Sequence, residues 1–138
     1  MINCNTAVIL AGGHSSRMTY NKEFIKDGDQ YLVHKTINNL KRYFDEVIVV
    51  TNNPHLYSNV TVLSDEVPNK GPIEGLRVAL NAAKSEYIYL MAVDMPNVDP
   101  EFINSLKQLE TGHDIYAIDN GFIQTFHAMY HKNCLNKI

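Results

Sequence analysis

The chain has 138 residues, a length suited to one domain, and 45% of them are hydrophobic, enough for a packed core and too many for a disordered tail. Its formal net charge is -3 and its 12 Lys and Arg are dispersed, which argues against a nucleic-acid or membrane-surface partner and for a small molecule. No apolar run approaches the roughly 20 residues of a membrane span, Met1-Ile2-Asn3-Cys4 lacks a signal-peptide pattern, and Cys4 and Cys134 lack CxxC spacing, so a cytoplasmic protein with reduced thiols is expected.

Short apolar, β-branched runs alternate with segments of helical period, which predicts an α/β domain: a Rossmann-like, mostly parallel sheet with helices on both faces. The first run, Thr6-Ala7-Val8-Ile9-Leu10, has no polar alternation and reads as a central strand buried on both faces, stopping at Gly12-Gly13. A short turn is expected at Ser15 to Met18 and another at Asp27-Gly28-Asp29. Val33, Ile37, Leu40 and Phe44 then recur at helical spacing. Glu46 to Thr51 and Val60 to Leu63 are predicted strands. Gly71-Pro72 opens a helix whose buried face is expected to carry Ile73, Leu76, Leu80 and Ala83, with the proline in the first turn where its missing N–H costs nothing. A strand over Tyr87 to Val93 leads to Asp94, and Asp99-Pro100 begins a helix burying Phe102, Ile103, Leu106 and Leu109. Ile115 to Ile118 and Phe122 to Met129 flank Asp119-Asn120-Gly121, which predicts a hairpin added to the sheet edge. No repeat or linker is visible, and residues 1–138 read as a single domain.

In open parallel sheets ligands bind beyond the carboxyl ends of the strands, so the residues just after each apolar run carry the chemistry. After the first strand comes Leu10-Ala11-Gly12-Gly13-His14-Ser15-Ser16-Arg17-Met18, then Lys22. Paired glycines let backbone N–H groups converge on an anion, and Arg17 and Lys22 add fixed positive charge, so this loop suits a polyphosphate. It is neither a GxxxxGK[ST] loop nor a GxGxxG fingerprint. Without the two basic residues, Gly12-Gly13 would read as an ordinary turn; Asp94 and Asp65 could likewise merely end their strands. Gly75 in the first turn of a helix costs about 1 kcal/mol relative to Ala, which close backbone approach to a ligand or to the first loop would explain. His127, His131 and Cys134 have tempting metal-ligand spacing, but His127 falls in a predicted strand with no carboxylate close in sequence, and a metal site there is not expected.

LAGGHSSRM followed by Lys22 resembles the LAGGxSSRMGxxK signature of molybdenum cofactor guanylyltransferases, nucleotidyltransferases of the nucleotide-diphosphate-sugar-transferase (GT-A-like) fold. Gly71-Pro72-Ile73-Glu74-Gly75-Leu76 is similar to that family's GPLxGL, and Asp94-Met95-Pro96 to its DMP, in the same order. The resemblance implies transfer of GMP from GTP to the molybdenum-molybdopterin cofactor with release of pyrophosphate. It implies that Leu10, Ala11, Gly12 and Gly13 hold guanine, and that Arg17 and Lys22 meet the phosphates. It further implies nucleotide contacts from Asp65, from Asn52 or the adjoining Asn53, and from the loop and helix start marked by Gly71 and Gly75, with Asp94 as the Mg2+ ligand. Arg17, Lys22 and Asp94 are thereby the expected catalytic residues, and cofactor-biosynthesis proteins or molybdoenzymes the expected protein partners.

Two departures from the signature stand out. Thr19 replaces the glycine after SSRM, and family members continue past Lys137-Ile138 into a segment that carries an NTP-type motif and helps bind the pterin. The corresponding expectation is GTP and Mg2+ binding with guanylyl transfer impaired or lost. The rival readings are a cofactor cytidylyltransferase or other nucleotidyltransferase, whose first loop is more often of LAAG type, and a non-catalytic GTP-binding module.

Overall fold

The computed structural model describes residues 3–11, 23, 25–64, 72–93, 100–108, 113–119 and 123–137, of which the side chains at 72, 118–119, 123–127 and 136–137 are left aside. Strand β1, Thr6–Leu10, is buried along its whole length because it sits between two parallel neighbours and under helices on both faces. Those neighbours are β4, Glu46–Val50, and β6, Tyr87–Ala92. Short β5, Thr61–Leu63, pairs in parallel outside β4. The hairpin of β7, Ile115–Asp119, and β8, Ile123–His131, joins the opposite side, with β8 antiparallel to β6. The sheet order is therefore β5-β4-β1-β6-β8-β7, mostly parallel with an antiparallel flank. The register of the hairpin slips between Ala117 and Ile118.

Alternation along the strands sends successive residues to two different cores. Ala7, Ile9, Val47, Val49, Tyr87, Tyr89 and Met91 face α1, Leu32–Leu40, and α3, Pro100–Lys107. Val8, Leu10, Ile48, Val50, Ile88 and Leu90 face α2, Pro72–Ala82, together with Cys134 of a final 3₁₀ segment, Lys132–Lys137. This is the expected α/β arrangement, with helices covering both faces of a sheet whose central strands are apolar beyond their first residues. On the first face Phe44 stacks on Tyr89 with ring centres 5.7 Å apart, and the Lys107 ammonium lies 4.5 Å from the Phe44 ring centre. The same ammonium donates to the Tyr43 carbonyl at 2.6 Å, which ties α3 to the end of α1.

The small pair β2, Lys26–Asp27, and β3, Gln30–Tyr31, turns at Gly28-Asp29 as the sequence predicts. Gly28 has φ +68, and positive φ at the first central position alone is the pattern of a type II′ turn, where glycine carries no Cβ penalty.

Two expectations about the helices are corrected. Helix α1 ends at Leu40, yet Phe44 is still buried, because its N–H continues the helical pattern by donating to the Leu40 carbonyl at 2.9 Å. Ile73 is 56% exposed rather than part of the buried face of α2: although Glu74 and Gly75 beside it are buried, the apolar side chains that pack on the sheet begin only at Leu76. Ile103 and Leu106 are buried as expected and Phe102 is half-buried, while Leu109 lies outside the described residues. None of the described helices is long and apolar enough to cross a membrane.

Candidate functional site at the carboxyl edge of the sheet

Register decides which loops meet. Leu10 of β1 stands opposite Val50 of β4 and Ala92 of β6, and Val50 stands opposite Leu63 of β5, so four adjacent strands end on one level. The level continues one step further, with Ala11 N–H donating to the Val50 carbonyl at 2.8 Å, Thr51 N–H to the Leu63 carbonyl at 2.8 Å and Val93 N–H to the Leu10 carbonyl at 3.1 Å. Two residues past that row, in sequence, stand Gly12, Asn52, Asp65 and Asp94. Two residues of chain reach at most about 7 Å, against about 4.8 Å between neighbouring strands. The strand order also reverses about β1: the chain runs outward through β4 to β5 and then returns to β6 on the other flank, the kind of place where open α/β sheets take ligands.

Of the expected site residues, Leu10 and Ala11 are buried at the end of β1, Asn52 is exposed just beyond β4, and Gly75 is buried within α2. Gly12, Gly13, Arg17, Lys22, Asp65, Gly71 and Asp94 lie outside the described residues, as do the turn at Ser15 to Met18 and Thr19. The choice between Asn52 and Asn53 gains a geometric argument. Asn53 spends its amide on Glu23, Nδ2 donating to Oε1 at 3.1 Å, and its own N–H on Thr51 Oγ1 at 2.8 Å, whereas Asn52 is exposed beside the strand ends.

Glu23 is the residue that sequence reasoning missed. It is 1% exposed, and its carboxylate accepts from Thr51 Oγ1 at 2.7 Å, from Asn53 and from the Tyr57 hydroxyl at 2.5 Å. A buried carboxylate is stable only when hydrogen-bonded in this way. Burial, followed by the hydrogen bond to Glu23 and its negative charge, raises the Tyr57 phenol well above the ordinary tyrosine range, so Tyr57 remains a neutral donor. Tyr57 also meets the His34 ring edge-on at 5.8 Å, and His34 Nε2 donates to the Leu56 carbonyl at 2.7 Å, bracing the 3₁₀ turn Pro54–Leu56 against α1. Nothing in the spacing signals this cluster, because Glu23 and Thr51 are brought together only by the fold. In the first turn of α2, buried Glu74 is held by Arg77 through Nε at 2.7 Å and Nη2 at 3.0 Å.

Chemistry elsewhere is quiet. Among the described residues no group of three His, Cys, Asp or Glu could hold a metal ion. Cys134 Sγ donates to the Asp114 carbonyl at 3.6 Å, and His131 Nδ1 accepts from Asn133 N–H at 2.9 Å, so these two are engaged in local structure; the His127 side chain lies outside the described ones. Cys4 and Cys134 are free thiols and buried. Burial pushes the Cys4 thiol up to about 12, against smaller opposing effects of the Lys107 charge and a hydrogen bond to Thr6. Between its ordinary value of 9.0 and about 12 the folded chain keeps a proton that the unfolded chain has released, so this group lowers stability as pH rises through that interval. Neither thiol should react with Ellman's reagent in the folded protein at pH 8, and both should react in denaturant; rapid labelling of Cys4 without denaturant would contradict its burial.

Similar proteins are known by sequence and by structure. A probable molybdenum cofactor guanylyltransferase of Peptoclostridium acidaminophilum is 36% identical over 96% of this chain and 65% of its own length. The molybdenum cofactor guanylyltransferase of Syntrophotalea carbinolica is 37% identical over 96% of this chain and 66% of its own length. The chain thus spans just under two thirds of these curated relatives. The crystal structure of molybdopterin-guanine dinucleotide biosynthesis protein A from Archaeoglobus fulgidus superposes with a TM-score of 0.77 at 17% identity, covering 96% of this chain and 70% of that one, which establishes a shared fold. The family described as the MobA-like NTP transferase domain matches residues 7–138, from within β1 through the β7–β8 hairpin. All of the large sheet but Thr6, the first residue of β1, falls inside that match, and the chain belongs to the MobA-like NTP transferase domain family.

Proposed function

We propose that the carboxyl edge of this sheet binds GTP with Mg2+ and serves guanylyl transfer to the molybdenum-molybdopterin cofactor. The observation that carries the reading is the level row of Leu10, Val50, Leu63 and Ala92, each followed two residues later by Gly12, Asn52, Asp65 or Asp94. The likeness to the two guanylyltransferases supports the choice of reaction.

In the reaction a terminal phosphate oxygen of the pterin cofactor forms a bond to the α-phosphorus of GTP, and the bond from that phosphorus to the bridging oxygen breaks, releasing pyrophosphate. No covalent enzyme intermediate is needed. Backbone N–H groups of the Gly12-Gly13 loop receive the nucleotide, and Arg17 and Lys22 offset charge on the α-phosphate and the leaving group. Asn52 and Asp65 contact the nucleotide from the ends of β4 and β5, and Gly71 and Gly75 let the start of α2 come close. The aspartates are hard oxygen donors, which suits Mg2+; Asp94 is the ligand proposed, together with substrate phosphates and water. When bound, the ion neutralises phosphate charge and helps align the α-phosphate. Holding nucleophile and phosphate in line is the main contribution of the chain. A small-molecule biosynthetic role fits a cytoplasmic location, with cofactor-biosynthesis proteins or molybdoenzymes as the partners that would supply or take up the cofactor.

A thermal-shift comparison tests the base assignment. With Mg2+ in each sample, GTP at about 100 times its dissociation constant should stabilise the protein by about 2.7 kcal/mol, with CTP and UTP giving less at the same concentration. Larger stabilisation by CTP would favour a cytidylyltransferase instead.

A further inference from the structure

The cluster around Glu23 has a second property besides its burial. Two described residues flank positions 12–22 in the sequence: Ala11, whose N–H is bonded to the Val50 carbonyl, and Glu23, whose carboxylate is bonded to Thr51. The residues on either side of Gly12, Gly13, Arg17 and Lys22 in the sequence are therefore bonded to adjacent residues at the end of a single strand, β4. Lys22 directly precedes the buried anchor in the sequence.

We propose that Glu23 is a positioning residue, which fastens the exit of the glycine-rich segment to the end of β4 and thereby sets where Lys22 meets the phosphates of the nucleotide. The proposal rests on the GTP-binding reading above. Three features support it. The carboxylate is satisfied by donors from three separate positions, Thr51, Asn53 and Tyr57, so it is held in place rather than merely buried. Those donors belong to the loop that carries Asn52, so the same cluster couples two parts of the proposed site. Tyr57 and Leu56 are braced on His34 of α1, which gives the anchor a rigid support. An apolar residue could fill the same volume, but it would not select one arrangement of the three donors, a role that buried polar groups take in some proteins.

The test is a double-mutant cycle read by titrating GTP with Mg2+ into the full chain at a temperature where every variant is folded by circular dichroism. Lys22→Ala should weaken GTP about 10-fold or more, and Glu23→Ala should weaken it by a similar factor when Lys22 is present. In the Lys22→Ala background the further effect of Glu23→Ala should shrink to about 2-fold or less, which a general loss of structure would not produce. Tyr57→Phe removes one donor and serves where Glu23→Ala does not fold; about a 3-fold loss that also depends on Lys22 is expected, and Glu23→Gln should recover part of the affinity. Equal losses in both backgrounds, or no loss from either Glu23→Ala or Tyr57→Phe, would overturn the positioning role while leaving the nucleotide site intact. Unchanged GTP affinity in Lys22→Ala alone would instead overturn the placement of Lys22 at the phosphates, and the positioning role with it.

Discussion

Asp94→Asn is expected to reduce Mg2+-dependent pyrophosphate release from GTP by about 10²–10³-fold while leaving the fold intact. Asparagine keeps the size of the side chain and one oxygen but loses the negative charge, so a hard divalent ion loses a principal reason to sit there. In sequence Asp94 directly follows Val93, whose N–H donates to the Leu10 carbonyl at the end of β1. The loss should appear in turnover and as a higher Mg2+ requirement, with melting temperature little changed because in sequence Asp94 comes after the last residue of β6. Wild-type turnover and metal dependence in Asp94→Asn would remove it from the reaction.

The largest effect on stability is expected from Tyr89→Ala. Tyr89 is fully buried in β6, stacked on Phe44 and packed in the core shared by α1 and α3. Truncating a buried aromatic residue costs about 3–5 kcal/mol, a large part of the 5–15 kcal/mol that stabilises a typical domain. The melting temperature should fall by about 10 °C, at about 2–4 °C per kcal/mol for a chain of this size. Ile115→Ala makes the matched control: Ile115 lies on the edge strand, 52% exposed, and its loss should cost no more than about 0.5 kcal/mol. Denaturant melts showing similar costs for both would contradict the division of the fold into two cores and an exposed edge.

Much of the fold was legible because its signals are local. The unbroken apolar run of β1 announced a strand buried on both faces, and Asp119-Asn120-Gly121 announced the hairpin that the structure adds as β7 and β8. Periodicity failed at Ile73, where spacing assigns a helix face but not where along the helix the apolar packing starts. The motifs at the strand ends are readings of the sequence, and what the structure adds is the register that puts the ends of β5, β4, β1 and β6 on one level. Glu23 was not legible: one charged residue after Lys22 looks like solvent-facing polarity, and its burial depends on three donors found 28 to 34 residues further along the chain. The preference for Asn52 over Asn53 likewise needed the structure, because only the hydrogen bond to Glu23 separates two adjacent identical residues.

Isothermal titration of GTP and, separately, CTP into the protein with Mg2+ present, repeated with EDTA in place of the metal, tests the GTP site most directly. GTP should bind at one site, at least about 10-fold more tightly than CTP and more tightly with Mg2+ than with EDTA, a difference of about 1.4 kcal/mol for each factor of ten. Binding of CTP as tight as that of GTP, or GTP affinity indifferent to the metal, would contradict a guanylyl site built from the glycine loop and Asp94.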